Sequence, residues 1–368
     1  MPPADPVLIV GLSGRQLAQS AARAGYAPIV LDAFGDLDTR AAARAVVRVP
    51  LDRHWCFRRK ALLTAVRSVA DRSVPLVWSS GLDGAPGLLD RLADGREILG
   101  NAGPSVRRVK DPMVFADACR SLRMPHPETT RRAPAAPDGW LVKRRGGSGG
   151  MHVRPMRVRD GAAPRRYFQR LASGTPVSAL VLGDGERATT LACSAQWADP
   201  VEYAPFRYAG AVAPVVVPAL PAMAERLVAH FGLKGFVSVD ALVDGAEVTV
   251  LEINPRPGAA LDAYERAFGV ELFGRHVAAC RGRTIEPLPA AKCVAASLIV
   301  YAPARIVVPP HYRWPEWAAD RGAGVVIPVG HPVCTVTAEA VDATAALTLV
   351  RSRAAAVLAS LQSLEVVA

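Results

Sequence analysis

The stretch "GFVSVDALVDGAEVTVLEINPR", residues 235–256, contains two strand-like apolar runs joined by Asp244-Gly245. Aspartate followed by glycine between such runs is a strong signal for a β-hairpin, because glycine readily adopts the positive φ that tight hairpin turns require. The stretch therefore predicts two antiparallel strands, and it places several polar residues on the second of them.

Those polar residues recur at every second position, so Glu252, Asn254 and Arg256 share one face while the strand stays extended. If the chain turns between residues 244 and 247, Asp240 lies almost opposite Glu252, although a register shift of one residue would turn it away. Two carboxylates and an amide oxygen that face one point suit Mg²⁺, which prefers oxygen ligands and shares them with phosphates. A solvated hairpin face with unrelated charges is the alternative.

A second stretch, "LVKRRGGSGGMHVR" (residues 141–154), carries four glycines in five positions after three cationic side chains. It lacks the G-K-[ST] of a P-loop, and the run that follows alternates like a strand, so a Rossmann turn does not fit either. Both flanks read as strands, which predicts a hairpin tip whose N–H groups close over phosphates. Lys143 before the loop and Lys110 before a helix could both reach a polyphosphate, with chance placement as the alternative.

The first hundred residues alternate strand and helix. The runs at residues 7–11, 26–32 and 74–78 read as buried strands, which predicts a parallel sheet with ligands at the carboxyl ends of its strands. From residue 101 the pattern changes: Asp111 can cap a helix, and short strands separated by turn residues follow. This part of the chain is predicted to be antiparallel α+β.

The composition, 51% hydrophobic and 21% charged over 368 residues, is typical of folded chains with two or three compact units. The net charge of +11 comes from 39 arginines and five lysines that are scattered along the chain, which favours a general arginine bias over a nucleic-acid surface. An anionic substrate remains compatible with this charge. The six cysteines form no C-x-x-C pair, and no signal peptide or membrane span is recognised, so we expect a cytoplasmic protein without membrane or nucleic-acid partners.

Taken in order, a lysine before a helix, a lysine before a glycine-rich hairpin, and an acidic residue followed twelve positions later by E-x-N-x-R resemble the ATP-grasp superfamily of carboxylate–amine ligases. The resemblance covers roughly residues 101–280. It implies a mixed α/β and α+β architecture, an ATP-grasp fold preceded by a Rossmann-like (pre-ATP-grasp) parallel-sheet domain. The implied domains are an N-terminal domain at 1–100, a central lid subdomain at 101–172, a C-terminal subdomain with the metal site at 173–290, and an α+β extension at 291–368.

The resemblance also implies the cofactors and the residues that contact them. ATP is implied as the nucleotide and Mg²⁺ as the metal, with Mn²⁺ as its substitute. The residues implied to contact ATP are Lys110, Lys143, Gly146, Gly147, Ser148, Gly149, Gly150, Gln169, Arg170, Leu171 and Ala172. Those implied to bind the metal are Asp240, Glu252 and Asn254, and catalytic roles fall to Lys143 and Arg256.

The sequence departs from the family pattern in three respects. Arg144 follows the loop lysine where proline is usual, and Gln169 stands where an acidic residue is common. The acidic residue that often binds ribose is not evident in "SGTPVSAL". The first hundred residues are similar to a group of ATP-grasp proteins linked to one-carbon cofactors in methylotrophs.

The implied reaction is the activation of a small carboxylate as an acyl phosphate, followed by attack of an amine to form an amide. Glutamate or another amino acid would suit the many arginines, and a homodimer is the expected assembly. Loops that face the centre offer further substrate contacts, and the aromatic ones among them could equally be packing residues. The candidates are Arg15, Ser80, Tyr208, Gly210 and Arg256.

Two other classes of protein stay open at this point. Gly11, Gly14 and Asp32 resemble part of a dinucleotide fingerprint, which would suit an NAD-dependent oxidoreductase, although the third glycine is absent. A non-catalytic protein that binds nucleotides or nucleic acid through its basic surface is the third class.

Overall fold

The computed structural model describes residues 4–52, 54–283 and 286–365; the outermost three residues of the chain at each end, which the predicted first and last domains include, lie outside this range. The first part of the chain forms a parallel sheet flanked by helices. Its strands are β1 (Asp5–Val10), β2 (Tyr26–Asp32), β3 (Ala45–Arg48) and β4 (Leu76–Trp78), and its helices are α1 (Arg15–Arg23), α2 (Leu37–Ala42), α3 (Arg59–Val69) and α4 (Pro86–Leu92).

These four strands lie in the order β3-β2-β1-β4, all parallel, as the alternation of strands and helices predicts. The central run Val7–Val10 is fully buried because helices cover both faces of the sheet. Strand β3 is not predicted from the sequence because it is only four residues long, is partly exposed and lacks the long apolar run of its neighbours.

A smaller unit follows. It contains α5 (Gly103–Val109), α6 (Pro112–Ser121), β5 (Thr129–Thr130), β6 (Trp140–Arg144), β7 (Arg154–Pro155) and β8 (Arg166–Arg170). Asp111 caps α6 as predicted, its carboxylate accepting a hydrogen bond from the Met113 N–H at 3.0 Å. The four strands are ordered β5-β8-β6-β7. The antiparallel strands β6 and β7 are joined by the segment that contains Gly146–Gly150, which we call the glycine loop. The hairpin is as predicted, but its second strand is only two residues long.

The rest of the chain builds a large antiparallel sheet and the helices that pack on it. Its strands and helices are β9 (Thr175–Asp184), β10 (Ala188–Ala198), β11 (Tyr208–Val215), α7 (Leu220–His230), β12 (Lys234–Asp244), β13 (Glu247–Asn254), α8 (Leu261–Phe268), α9 (Phe273–Cys280), β14 (Val294–Tyr301), β15 (Ile306–Val308), β16 (Ala318–Ala319), β17 (Val325–Ile327), β18 (Pro332–Ala340) and α10 (Ala343–Glu365). Eight of the strands form one sheet in the order β13-β12-β9-β10-β11-β14-β18-β16, and β15 pairs with β17.

The two faces of this sheet bury different cores. Val181 on β9 packs in the same core as Leu227 of α7, while Leu180 and Leu182 point to the other face, since side chains alternate along a strand. The second core also contains Leu17 of α1. The large sheet therefore packs against the parallel-sheet unit.

The last helix, α10, is long and apolar enough to cross a membrane by length and composition alone, with a mean hydropathy of 1.2, an assignment that the sequence analysis does not make. In this structure it lies on the large sheet. Its side chains Ala346, Val350, Val357 and Leu361 are buried in one core with strand residues of β14 and β18. This packing accounts for its apolar stripe.

Candidate active site

The hairpin of β12 and β13 positions the predicted metal ligands through a β-bulge. In the register set by the turn, Ala241 pairs with Val250, and an unbroken ladder would place Asp240 opposite Leu251. The register shifts by one residue there, so that Asp240 pairs with Glu252. Val250 is buried in the core, and without the bulge Glu252 would point to that same face. The bulge therefore turns the carboxylate from the core to the site.

Four side chains, which we call the cleft cluster, meet at this point: Lys110, Asp240, Glu252 and Asn254. The Asp240 carboxylate accepts hydrogen bonds from Ser178 Oγ and Asn254 Nδ2, each at 2.7 Å. The Asn254 amide oxygen accepts one from Lys110 Nζ at 2.7 Å, and this ammonium lies 3.6 Å from Glu252 Oε2. The amide of Asn254 thus links a carboxylate to a cation.

The two carboxyl groups of the cleft cluster are shifted in opposite directions. Burial, and then the charge of Glu252, raise the pKa of Asp240 to about 6. Burial acts in the same direction on Glu252, but the charges of Lys110 and Lys143 outweigh it and lower the pKa of this carboxyl to about 2. Opposite shifts are expected when two acids share one site and a cation lies closer to one of them.

The donor set fits a hard divalent cation that shares its ligands with phosphates. Two carboxylates and an amide oxygen are what Mg²⁺ takes from proteins, and Lys110 already brings a positive charge to these oxygens. Within the described residues no three His, Cys, Asp or Glu side chains form a metal-binding group. The cluster alone therefore offers two carboxylates, and further ligands would come from the amide, from water or from a substrate.

The second predicted lysine, Lys143, is buried on β6. Its ammonium donates a hydrogen bond to Gln169 Oε1 at 3.0 Å and lies 5.8 Å from the centre of the Tyr167 ring. Burial lowers the pKa of Lys143, while the charges of Glu252 and Asp240 oppose this shift. Lys110 and Lys143 thus both act on the carboxylate of Glu252.

The glycine loop is closed over the site. Gly146 and Gly147 line a cleft together with Lys110 and Glu252, which we call the cleft. A β-carbon at Gly146 would lie 2.5 Å from the Cα atom of Gly84, and one at Gly150 would lie 1.6 Å from the carbonyl oxygen of Phe206. Two of the four glycines are therefore required for close backbone packing. Ser148 and Gly149, in the same loop, do not line this cleft.

Among the four consecutive residues at 169–172, which the resemblance implies to contact ATP, only Gln169 lines the cleft. The guanidinium of Arg170 lies 5.0 Å from the centre of the Trp140 ring, and the side chain of Leu171 is 55% exposed. Ala172 is also outside the lining. A nucleotide contact from Arg170, Leu171 or Ala172 would therefore need their backbone, which stays a prediction.

Several further residues line the cleft without belonging to a motif of the sequence, except for Arg144, which is noted there only as a departure from the family pattern. The cleft is also lined by Val109, Pro112, Phe115, His126, Thr129, Arg144, Tyr167, Leu251 and Ile253. Two of these, Leu251 and Ile253, flank Glu252, so their position next to a predicted ligand is a signal that the sequence does contain.

Arg256 connects the cleft cluster to the parallel-sheet unit. Its Nε donates to Asp83 Oδ1 at 3.1 Å, and both side chains are buried. Its charge also acts on Glu252 and Asp240. Asp83 lies in the loop after β4, where the sequence analysis selects Ser80 instead.

The other proposed substrate residues differ in how they are engaged. The Arg15 guanidinium already binds Asp262, at 2.6 and 2.7 Å, and Asp320, at 3.0 Å, which leaves it no free face for a substrate and corrects that prediction. The carbonyl oxygen of Ser80 accepts a hydrogen bond from the Leu12 N–H at 2.8 Å, which gives the residue a backbone role.

Gly210 and Tyr208 lie on β11. A β-carbon at Gly210 would lie 2.5 Å from the Trp197 ring, so packing accounts for this glycine. The hydroxyl of Tyr208 is buried and has no hydrogen-bond partner in the described part of the chain. Burial, and then the charge of Asp240, raise the pKa of this phenol. Tyr208, like Arg256, is thus a substrate candidate that the structure places near the cleft cluster.

The dinucleotide interpretation does not survive the geometry of Asp32. This carboxylate is fully buried and accepts hydrogen bonds from the Gly14 N–H at 3.1 Å and the Gly35 N–H at 2.8 Å. A β-carbon at Gly14 would lie 2.3 Å from Val30. Asp32 and Gly14 therefore stabilise the strand-to-helix turn, and the carboxylate of Asp32 is not available for the ribose of NAD.

Residues 109–260 match the family model of an ATP-grasp domain. Pyruvate carboxylase of Rhizobium etli aligns with a TM-score of 0.73 at 14% identity over 95% of this chain, which spans 39% of that protein. The biotin carboxylase domain of Hydrogenobacter thermophilus 2-oxoglutarate carboxylase, solved with Mg-ADP and bicarbonate, gives 0.73 at 12% identity over 95% of this chain and 89% of its own.

N5-carboxyaminoimidazole synthetase of Staphylococcus aureus gives a TM-score of 0.67 at 14% identity, over 95% of this chain and 97% of its own. No curated protein sequence matches the chain significantly. At these identities the solved structures establish the fold alone, and they confirm the fold class that the sequence predicts. The chain thus has the ATP-grasp fold, with an ATP-grasp domain at residues 109–260.

Proposed function

We propose that the protein is an ATP-dependent ligase that activates a small carboxylate as an acyl phosphate and joins it to an amine. The observation that supports this most strongly is the cleft cluster, in which a bulge brings Glu252 opposite Asp240 while Lys110 holds the amide of Asn254. Phosphoryl transfer needs fixed positive charge and few covalent steps from the protein. Lys110 supplies one such charge, and the two carboxyl groups would hold the cation that supplies the rest, without a nucleophilic side chain.

In this proposal the cleft cluster and Lys143 bind the metal and the nucleotide, and the glycine loop excludes water. Asp240, Glu252 and Asn254 would hold Mg²⁺, which neutralises negative charge on the phosphoryl group when it is bound. Lys110 and Lys143 would hold the phosphates of ATP, with Mn²⁺ able to replace Mg²⁺ at the metal position. The glycine loop would keep water from the acyl phosphate, because an exposed acyl phosphate hydrolyses.

Arg256 is held by Asp83 at the edge of this centre, where it would stabilise the group that is transferred or the carboxylate that accepts it. The substrates in this proposal are small molecules, with glutamate or another amino acid as the first candidates and one-carbon cofactor precursors as the second. The proposal also keeps a cytoplasmic location, a homodimer and the four predicted domains.

The test is a screen for ADP formation with direct chromatographic detection, using pools of small carboxylates and amines. A ligase should release ADP only when MgATP, one carboxylate and one amine are all present. With the carboxylate labelled in both oxygens by ¹⁸O, one label should appear in inorganic phosphate, because the acyl phosphate breaks between carbonyl carbon and bridging oxygen. Unlabelled phosphate at full turnover would rule out the acyl phosphate.

Two other results would replace the proposal with a different class. Tight MgATP binding without turnover in any pool would indicate a nucleotide-binding protein. A change in absorbance at 340 nm with NAD(P)H, in the absence of ATP, would indicate an oxidoreductase despite the buried Asp32.

A further inference from the structure

Arg144 is a cation of the cleft that forms no ion pair within the part of the chain that the structure describes. It follows Lys143 at the end of β6, and its side chain lines the cleft beside Gly146 and Gly147. Its Nε is buried and has no hydrogen-bond partner, and its guanidinium forms no ion pair with any residue that the structure describes. The neighbouring Arg145, by contrast, is exposed and lies 3.4 Å from the carboxylate of Asp111.

An arginine in this state has a physical cost. Guanidinium carries five N–H donors and stays charged at any physiological pH. A buried donor that has lost water without gaining a partner costs about 1–3 kcal/mol, so such groups are uncommon in folded proteins and call for an explanation. A ligand that supplies the missing acceptor is the explanation that suits a residue in a cleft.

Arg144 lies on the side of the cleft that is near the parallel-sheet unit, because its charge acts on Asp52 of that unit. The carboxylate of Asp52 in that unit has a lowered pKa, chiefly because it accepts hydrogen bonds from the Cys56 and His54 N–H groups, with a smaller contribution from the charge of Arg144. His152, whose ring lies against Gly147, also has a buried nitrogen, Nδ1, without a partner in the described residues. Two unpartnered polar groups therefore border the glycine loop on one segment of chain.

We propose that Arg144 binds an oxyanion of the acid substrate, either its carboxylate or a phosphate group that it carries, and does not serve the phosphates of ATP. This inference rests on the proposed function, which supplies the acid substrate, and it adds that the substrate presents an anionic group to Arg144. The fork of the guanidinium matches both oxyanions through two parallel hydrogen bonds. Lys110 and Lys143 already act on Glu252, so the nucleotide side of the cleft has its own cations.

The experiment compares three variants of the full chain: Arg144→Gln, Arg144→Lys and Arg145→Gln. Arg145→Gln is the matched control, since it removes one charge at the adjacent position outside the cleft lining. Isothermal titration first measures the Kd of MgADP for each protein. Inorganic phosphate and then acetate are titrated into the MgADP-bound proteins, because they represent the two oxyanions.

We expect Arg144→Gln to bind MgADP within about twofold of the parent protein and to bind phosphate or acetate at least about tenfold more weakly, the loss of about 1.4 kcal/mol. Arg145→Gln should leave all three affinities unchanged, and Arg144→Lys should recover part of the loss, because it keeps the charge and loses the fork. The affinity for the MgATP analogue AMP-PNP should also stay unchanged in Arg144→Gln, since phosphate beside MgADP can occupy the γ-phosphate position of ATP. The oxyanion whose affinity then falls identifies the substrate group.

Two outcomes would overturn the inference. Unchanged phosphate and acetate affinities in Arg144→Gln would show that Arg144 binds neither oxyanion, and a parallel loss of MgADP affinity would assign it to the nucleotide. If the parent protein fails to bind MgADP, the proposed function fails. Phosphate and acetate titrated without nucleotide then still decide whether Arg144 forms an oxyanion site.

Discussion

Two groups of buried charges in this protein differ in whether they are satisfied. The first is the cleft cluster, where two carboxylates, a lysine and an amide meet near groups of Arg144 and Tyr208 that have no hydrogen-bond partner among the described residues. The second, which we call the α1–α8 seam, joins Arg15 of α1 to Asp262 of α8 and to Asp320, and Glu265 of α8 to Ser20 and Arg23 of α1.

In the seam every nitrogen of the Arg15 guanidinium has a protein acceptor. A charge that is fully paired inside the protein leaves no hydrogen-bonding capacity for a ligand, and removing its partner is strongly destabilising because an uncompensated charge remains. Groups in the cleft keep unmet hydrogen-bonding capacity, which is where binding energy for a substrate can come from. The difference explains why Arg15 is tested below through stability, whereas residues of the cleft are tested through activity.

The largest effect is expected in the cleft. Glu252→Gln removes the carboxylate that the bulge turns towards Asp240, and it should lower kcat/KM for MgATP by about a thousandfold, which corresponds to about 4 kcal/mol of activation free energy. The fold should persist, as judged by circular dichroism. Glu247→Gln, at the exposed start of the same strand, is the control. Full activity in Glu252→Gln would disprove the metal assignment.

The next effect falls in the seam and on stability. Arg15→Ala leaves Asp262 and Asp320 without their cation, at side-chain exposures of 12% and 21%, and should lower the free energy of unfolding by about 3 kcal/mol. Urea denaturation measures the change. Arg72→Ala breaks an exposed ion pair with Asp94, so it should cost less than about 1 kcal/mol. Equal losses in the two variants would mean that the seam is no more than a surface pair.

A third test moves the loop without touching a charge. A β-carbon at Gly147 would lie 2.2 Å from Cγ of His152, so Gly147→Ala should displace the ring or the loop and lower kcat/KM by about 10- to 100-fold. Gly161→Ala, where nothing lies within 4 Å, should have no effect. Adding His152→Ala to Gly147→Ala relieves the contact, so the double variant should recover kcat/KM. If it does not, the clash with His152 is not the cause of the loss.

The smallest effect is a change in the pH dependence of stability at the seam. Burial raises the pKa of Glu265 to about 7, against the hydrogen bond from Ser20 and the charge of Arg23. As the pH rises from about 4.5 to about 7, the unfolded chain loses a proton that the folded chain keeps, so the free energy of unfolding falls in this window. Glu265→Gln should reduce this fall by about 1 kcal/mol.

Denaturation curves at pH 5 and pH 7 measure the difference for Glu265→Gln. Glu97 provides a contrast of opposite sign, since its hydrogen bond from Arg281 lowers its pKa. Glu97→Gln should therefore lose stability that is present above the ordinary glutamate pKa and vanishes as the pH falls. An identical pH profile for both variants would contradict the role of the seam.

Local patterns in the sequence predict the parallel sheet, the capped helix at Asp111 and both hairpins, because each depends on residues close together in the chain. Two features have no local signal. No residue type in the sequence predicts the bulge at Leu251, yet the bulge decides on which face of the sheet the side chain of Glu252 lies. The partners of Arg15 lie 247 and 305 positions away, so a free binding residue and a paired one look alike in sequence.

The continuation of the large sheet beyond β11 has a consequence for the protein's solubility. β11 is hydrogen-bonded on its outer side to β14, and β14 to β18, so the last eighty residues cover an edge that would otherwise be open. A chain cut after residue 290 would keep the cleft cluster but present the unpaired backbone of Gly210 to Ala213 to other molecules. Such an edge is a template for self-association, and the C-terminal strands prevent this by pairing with it.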